Sequence, residues 1–125
     1  MATPTGRTFY RVLAKSEAIV DDFLSGEAAG DDPPENATAE LLRMWRGISV
    51  YRTETQARNK AKALRLGDFI AQIEVPVGSS ITFYRTGGRN ARGHHTLWGD
   101  PEEIMRCVTR IIPVHDSPAA DRTPR

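Results

Sequence analysis

The chain is poor in the residues that usually announce a function. It has one cysteine, Cys107, so no internal disulfide can form. It has three lysines, Lys15, Lys60 and Lys62, and arginine supplies the rest of its 17 basic residues. Neither sign of charge dominates: 17 basic residues face 16 acidic ones, for a net charge of +1. That balance removes the bulk electrostatic argument for binding nucleic acid or membranes, and leaves room only for a local basic patch. No apolar run approaches the length that spans a bilayer. The N-terminal MATPTGRTFY has no apolar signal-peptide core. The expectation is a soluble, cytoplasmic protein with no membrane partner.

The common chemical signatures are missing too. There is no Walker loop, no GxGxxG, no HExxH and no CxxC pair. No GxSxG elbow occurs. TGGRNARGHH is glycine-rich but ends in no lysine and opens no helix, so it does not read as a phosphate loop. His94 and His95 are adjacent and lack companions at ligand spacing, whereas a zinc site needs three or four groups. No metal is expected. Cys107, in EEIMRCVTR, falls on an apolar face and reads as a core thiol rather than a nucleophile.

What is present is pattern. A length of 125 residues suits one domain with a real core. We assign that domain to residues 8–114, with flexible tails at 1–7 and 115–125. TFYRVLA is short, aromatic and branched, hence a strand. Ser16 looks like a helix cap before EAIVDDFL, whose Ile19, Val20, Phe23 and Leu24 share a helical face, with Gly26 as the stop. SGEAAGDDPPENATAE is a long loop of the kind that is functional or mobile. AELLRMW has room for a helical turn or more.

RGISVYRT is a second strand, with Ile48, Val50 and Arg52 on one side and Ser49, Tyr51 and Thr53 on the other. Thr53 and Gln56 then form a capping box. Its helix is expected to run to about Leu66, with Ala57, Ala61 and Leu64 inward and Gly67 as the stop. DFIAQIEVP alternates as a half-buried strand, and ITFYRT is another. GGRNARGHH reads as a basic loop and HTLWG as a short strand. DPEEIMRC starts a helix, with Asp100 at the cap, Pro101 in the first turn and Glu103 completing a second capping box. VTRIIPV is the closing strand. The fold class is α+β: a curved, mainly antiparallel sheet with three or four helices packed on it.

Three constellations carry polar groups where apolar ones would be expected. Arg11 shares a strand face with Phe9 and Leu13, which requires a partner, a ligand or solvent. The plain partner is Asp21 or Asp22. Ser49, Tyr51 and Thr53 make a polar stripe, either a solvated face or a lining. GHHTLWGDPEE gathers His94, His95, Trp98, Asp100, Glu102 and Glu103 within a short loop-to-helix stretch.

An arginine on the first strand, a GxSxYxT strand running into a helix and a late glutamate resemble the ADP-ribosyltransferase fold, with its split sheet. The resemblance implies NAD as substrate. It gives Arg11 an NAD contact and a catalytic role, Arg46 a share of the pyrophosphate, and Ser49 and Tyr51 the nicotinamide pocket, with Tyr51 stacking on the ring. His95 joins the NAD-binding set. Glu103 or Glu102 is the catalytic carboxylate, stabilising the positive charge that grows as the nicotinamide bond breaks. It also implies a protein or nucleic-acid acceptor, and a place among toxins of toxin–antitoxin or phage-related systems. Two other readings stand beside it. One is a non-enzymatic binding module, such as an antitoxin, immunity or phage-encoded interaction protein. The other is an RNA-directed enzyme with His94 or His95 as general base and Arg89 and Arg92 on phosphate.

Overall fold

A computed structural model of the chain describes residues 7–87 and 93–115. Six strands form one antiparallel sheet: β1 (Arg7–Leu13), β2 (Ile48–Tyr51), β3 (Phe69–Val75), β4 (Thr82–Arg85), β5 (His94–Trp98) and β6 (Val108–Pro113). Three α-helices accompany them: α1 (Ala39–Trp45), α2 (Glu54–Leu64) and α3 (Pro101–Arg106). The strand order is β4-β5-β2-β1-β3-β6, and every pairing is antiparallel. This is the α+β class expected from the sequence. Among the described residues, no helix is long and apolar enough to cross a membrane. Of the expected tails, 1–7 and 115–125, residues 1–6 and 116–125 lie outside the described residues, as do Arg89 and Arg92, while Arg7 already belongs to β1.

Each face of the sheet buries its own cluster. On one face Phe9, Leu13, Ile48, Val50, Ala71, Ile73 and Leu97 pack with Phe23 and with Ile104 of α3. On the other, Tyr51, Ile70, Ile112 and Val114 pack with Ala57 and Ala61 of α2. Small alanines let that helix lie close to the strands, and both are almost fully buried. The first face is concave. Strands sit about 4.8 Å apart, so β1 and β4, three intervals apart, would be far from contact in a flat sheet. Yet the rings of Phe9 and Phe83 lie 5.0 Å apart. The sheet curls around Phe9 to make that contact.

α2 starts as its capping box dictates. Thr53 Oγ1 accepts from Gln56 N at 3.1 Å, and Gln56 Oε1 accepts from Thr53 N at 3.2 Å. Its other end differs from expectation. The helix stops at Leu64, and Arg65 takes the left-handed conformation (φ 54°) that glycine would favour. Leu64 is 60% exposed and not on the inner face. Gly67 serves another purpose: a Cβ there would run into the Leu13 carbonyl, so glycine lets the chain pass β1 closely.

Two further expectations are corrected. EAIVDDFL forms only a 3₁₀ turn, Val20–Phe23, and Ser16 caps nothing. The Asp22 carboxylate accepts from the Ile19 N–H at 2.8 Å, so the turn is capped at Ile19, three residues after Ser16, and ends at Phe23. Asp100 makes no side-chain cap to α3, so the second capping box is not formed. Glu103 instead accepts from Ser80 Oγ at 2.7 Å.

Candidate functional site

β1 and β2 share a single residue pair, Tyr10 with Tyr51. Beyond it the strands part, and the gap would leave β2 carbonyls without partners. Arg11 fills it. Its Nη1 donates to the Ser49 carbonyl at 2.8 Å, and its Nε donates to the Asp22 carbonyl at 2.8 Å. One guanidinium thus stitches β2, β1 and the 3₁₀ turn together. The acceptor on the turn is Asp22's backbone, not its carboxylate. Burial pulls the Arg11 pKa down to about 10, with Asp22 and Tyr51 opposing the shift, so the group stays cationic at neutral pH.

The gap opens into a cleft of about 380 Å³ lined by Arg11, Val12, Ser49, Tyr51, Leu64 and Leu66. A guanidinium has five N–H donors. Two are used here, and among the described residues the others meet no acceptor. The Ser49 side chain is exposed, and Leu64 and Leu66 are exposed leucines on the α2 side. The cleft therefore offers a cation and a hydroxyl at its floor and an apolar wall at its side. None of the six lining residues is acidic.

Arg11, Ser49 and Tyr51 are therefore brought together. The remaining candidates are not. Tyr51 itself is 7% exposed, with its ring against the alanines of α2 and the edge of His94, 5.5 Å away. It lines the cleft but is not free to stack flat on a ligand. Arg46 caps the end of α1, two residues before β2, with its Nε 3.7 Å from Glu27 Oε2 in an exposed ion pair. Glu103 and Glu102 ride on α3, which packs through Ile104 on the opposite face of the sheet from Tyr51. Sequence reasoning missed Leu64 and Leu66, whose signal was two leucines at a helix end with no core to enter.

The histidines are separated although adjacent. β5 is an inner strand, so His94 and His95 point to opposite faces. His94 joins Tyr51's side, where its Nδ1 meets Thr86 Oγ1 at 2.9 Å and Thr86 Oγ1 meets Thr96 Oγ1 at 2.8 Å. His95 lies on the concave face, 5.1 Å from the ring of Phe9. Its Nδ1 is 3.1 Å from the Gly93 carbonyl, which only accepts, so Nδ1 carries the proton. Burial lowers the pKa of both imidazoles.

Lowered pKa values set a sign for the acid stability. The unfolded chain takes up protons near the usual histidine value of 6.5, while the folded chain resists until lower pH. Histidine-linked stability is therefore intact above pH 6.5 and is lost as pH falls through the folded pKa values. The urea midpoint is expected to drop between pH 7 and pH 5, and His94→Gln is expected to flatten that drop. An equal drop in the variant contradicts this assignment.

Comparison of the chain with family models, with curated proteins and with solved structures finds no match.

Proposed function

We propose that this protein is a ligand-binding module whose cleft at the β1–β2 gap takes an anion bearing a flat or apolar group. NAD is the ligand of that kind that the sequence resemblance names. One observation carries the reading: a mostly buried guanidinium with unused donors, in a cleft that is walled by exposed leucines and has no acid among its lining residues, although the charge of Asp22 lies near it. A buried cation favours an anionic partner, because charge-assisted hydrogen bonds strengthen where water is scarce. The leucines would cover a base or nicotinamide ring.

ADP-ribosyl transfer asks for more than binding. It needs a carboxylate beside the breaking bond, and Glu103 is held by Ser80 across the sheet. The cleft accounts for Arg11, Ser49 and Tyr51 without that step. Transfer to a protein or nucleic-acid acceptor, and a toxin or antitoxin role, then depend on whether bound NAD is consumed.

Titration of the ¹⁵N-labelled protein with NAD tests the reading. Amide shifts are expected at Ser49, Tyr51, Leu64 and Leu66, with no release of nicotinamide. Shifts confined to other residues would remove the cleft from the account. Steady nicotinamide release would replace a binding module by a transferase.

A further inference from the structure

The other end of the sheet carries a second arrangement, independent of the cleft. β1 begins there, β2 and β4 end there, and β5 begins there. Antiparallel pairing brings Arg7, Arg52, Arg85 and His95 to this one end. Arg85 is the direct cross-strand neighbour of His95. Arg52 is tied to the start of β5 through its N–H to the Gly93 carbonyl, at 2.9 Å. Arg7 crosses the concave face, and its guanidinium lies 5.5 Å from the centre of the Phe83 ring on β4. The curl of the sheet gathers arginines from three strands around one mouth.

All three arginines are exposed, and among the described residues none forms an ion pair. Two acids near this end are occupied: Glu74 Oε2 accepts from Gln72 and from Thr109, both at 3.0 Å, and Glu54, two residues after Arg52, pairs with Arg58 at 2.9 Å. His95, beneath the arginines, has its pKa lowered by burial first; its hydrogen bond to the Gly93 carbonyl opposes that shift, and the charges of Arg52, Arg7 and Arg85 add to it. The mouth is thus a concentrated positive patch on a chain whose net charge is only +1. Three like charges on one mouth, with no ion pair among the described residues, set up a local positive potential that an anion meeting several of them together would neutralise.

We infer that this mouth binds single-stranded nucleic acid through its backbone phosphates. Arginine suits phosphate because its planar fork donates two parallel hydrogen bonds. The patch is open, so a lone phosphate would gain little over water. A polymer presents successive phosphates and gains from all three arginines at once. The Phe83 ring is already covered by Phe9 and the Arg7 guanidinium, so recognition rests on phosphates, and a flexible single strand can follow arginines that come from three strands. Arg89 and Arg92, the phosphate contacts expected from the sequence, are not needed for this assignment.

Fluorescence anisotropy with a labelled oligouridylate, across a salt series, tests the inference. Saturable binding is expected at low salt. Three phosphate contacts imply a slope of log K against log salt of about −2. The variant Arg7→Ala/Arg52→Ala/Arg85→Ala is expected to bind at least about tenfold more weakly, with a flattened slope. Lys62→Ala/Arg65→Ala removes two positive charges from the far end of the sheet and is expected to leave affinity unchanged. The substituted arginines are exposed, so the triple variant should keep its unfolding midpoint. Absence of saturable binding overturns the inference. So does a triple variant that binds like wild type, or equal losses in both variants. Full displacement of the oligomer by millimolar inorganic phosphate overturns it as well.

Discussion

Arg11→Met should lower the unfolding free energy by about 2–4 kcal/mol and abolish anion binding in the cleft. The estimate comes from the two bonds the guanidinium makes. Hydrogen bonds from a charged donor are worth roughly 1.5–3 kcal/mol each, and both acceptors, the Ser49 and Asp22 carbonyls, would lose their partner. Against this stands relief from burying a cation, which methionine does not require. The carbonyls decide the balance. The Ser49 carbonyl sits where β1 and β2 have already parted and the Asp22 carbonyl lies on the 3₁₀ turn, so no strand N–H replaces the lost donor at either. Arg11→Lys restores charge but cannot span both acceptors, and should fall between the two. Urea unfolding checks the stability. A midpoint unchanged in the methionine variant would mean that water already serves those carbonyls.

Phe9→Ala should be the most damaging single substitution on the concave face, at about 3–5 kcal/mol. Phe9 has no exposed surface and lies against Phe83 at 5.0 Å and His95 at 5.1 Å. These contacts join β1 to strands two and three places away, so the cost has two parts. One is the cavity. The other is the curl of the sheet, which loses the ring around which it closes. Thermal or urea unfolding measures the first. The second shows as a weaker approach of Arg7 to Phe83, read from ring-proton shifts. A loss below about 1 kcal/mol would place the substitution with ordinary surface changes and contradict the packing described.

Local elements were legible in the sequence because local chemistry fixes them. Thr53 and Gln56 make both bonds of their capping box, and β3 puts Phe69, Ala71, Ile73 and Val75 on one face as read, although Ile70 is buried on the other and the strand is not half-exposed. The failures have local causes as well. Asp22 caps the turn at Ile19 rather than at Ser16, and EAIVDDFL keeps only the 3₁₀ turn Val20–Phe23. Arg65 accepted a left-handed conformation and ended α2 before Gly67 was reached.

The site was less legible because it is made by non-local pairing. Arg11, Ser49 and Tyr51 could be nominated as odd polar residues on strands. That β1 and β2 part just after Tyr10 and Tyr51, leaving a gap for one arginine to fill, depends on the strand order. No periodicity encodes that order. Glu103 read both as a cap partner within its own helix and as the catalytic carboxylate. Its partner, Ser80, is 23 residues away in sequence. His94 and His95 read as loop residues, although strand alternation would have sent them to opposite faces had GHHTLW been taken as one strand.

Calorimetric titration of NAD into the wild type and Ser49→Leu tests the central claim most directly. Ser49 is exposed and its side chain makes no hydrogen bond among the described residues, so leucine should block the cleft with little effect on stability. The account predicts saturable heat for the wild type and its loss in the folded variant. Equal binding by both proteins, or no heat from the wild type at millimolar NAD, would contradict it.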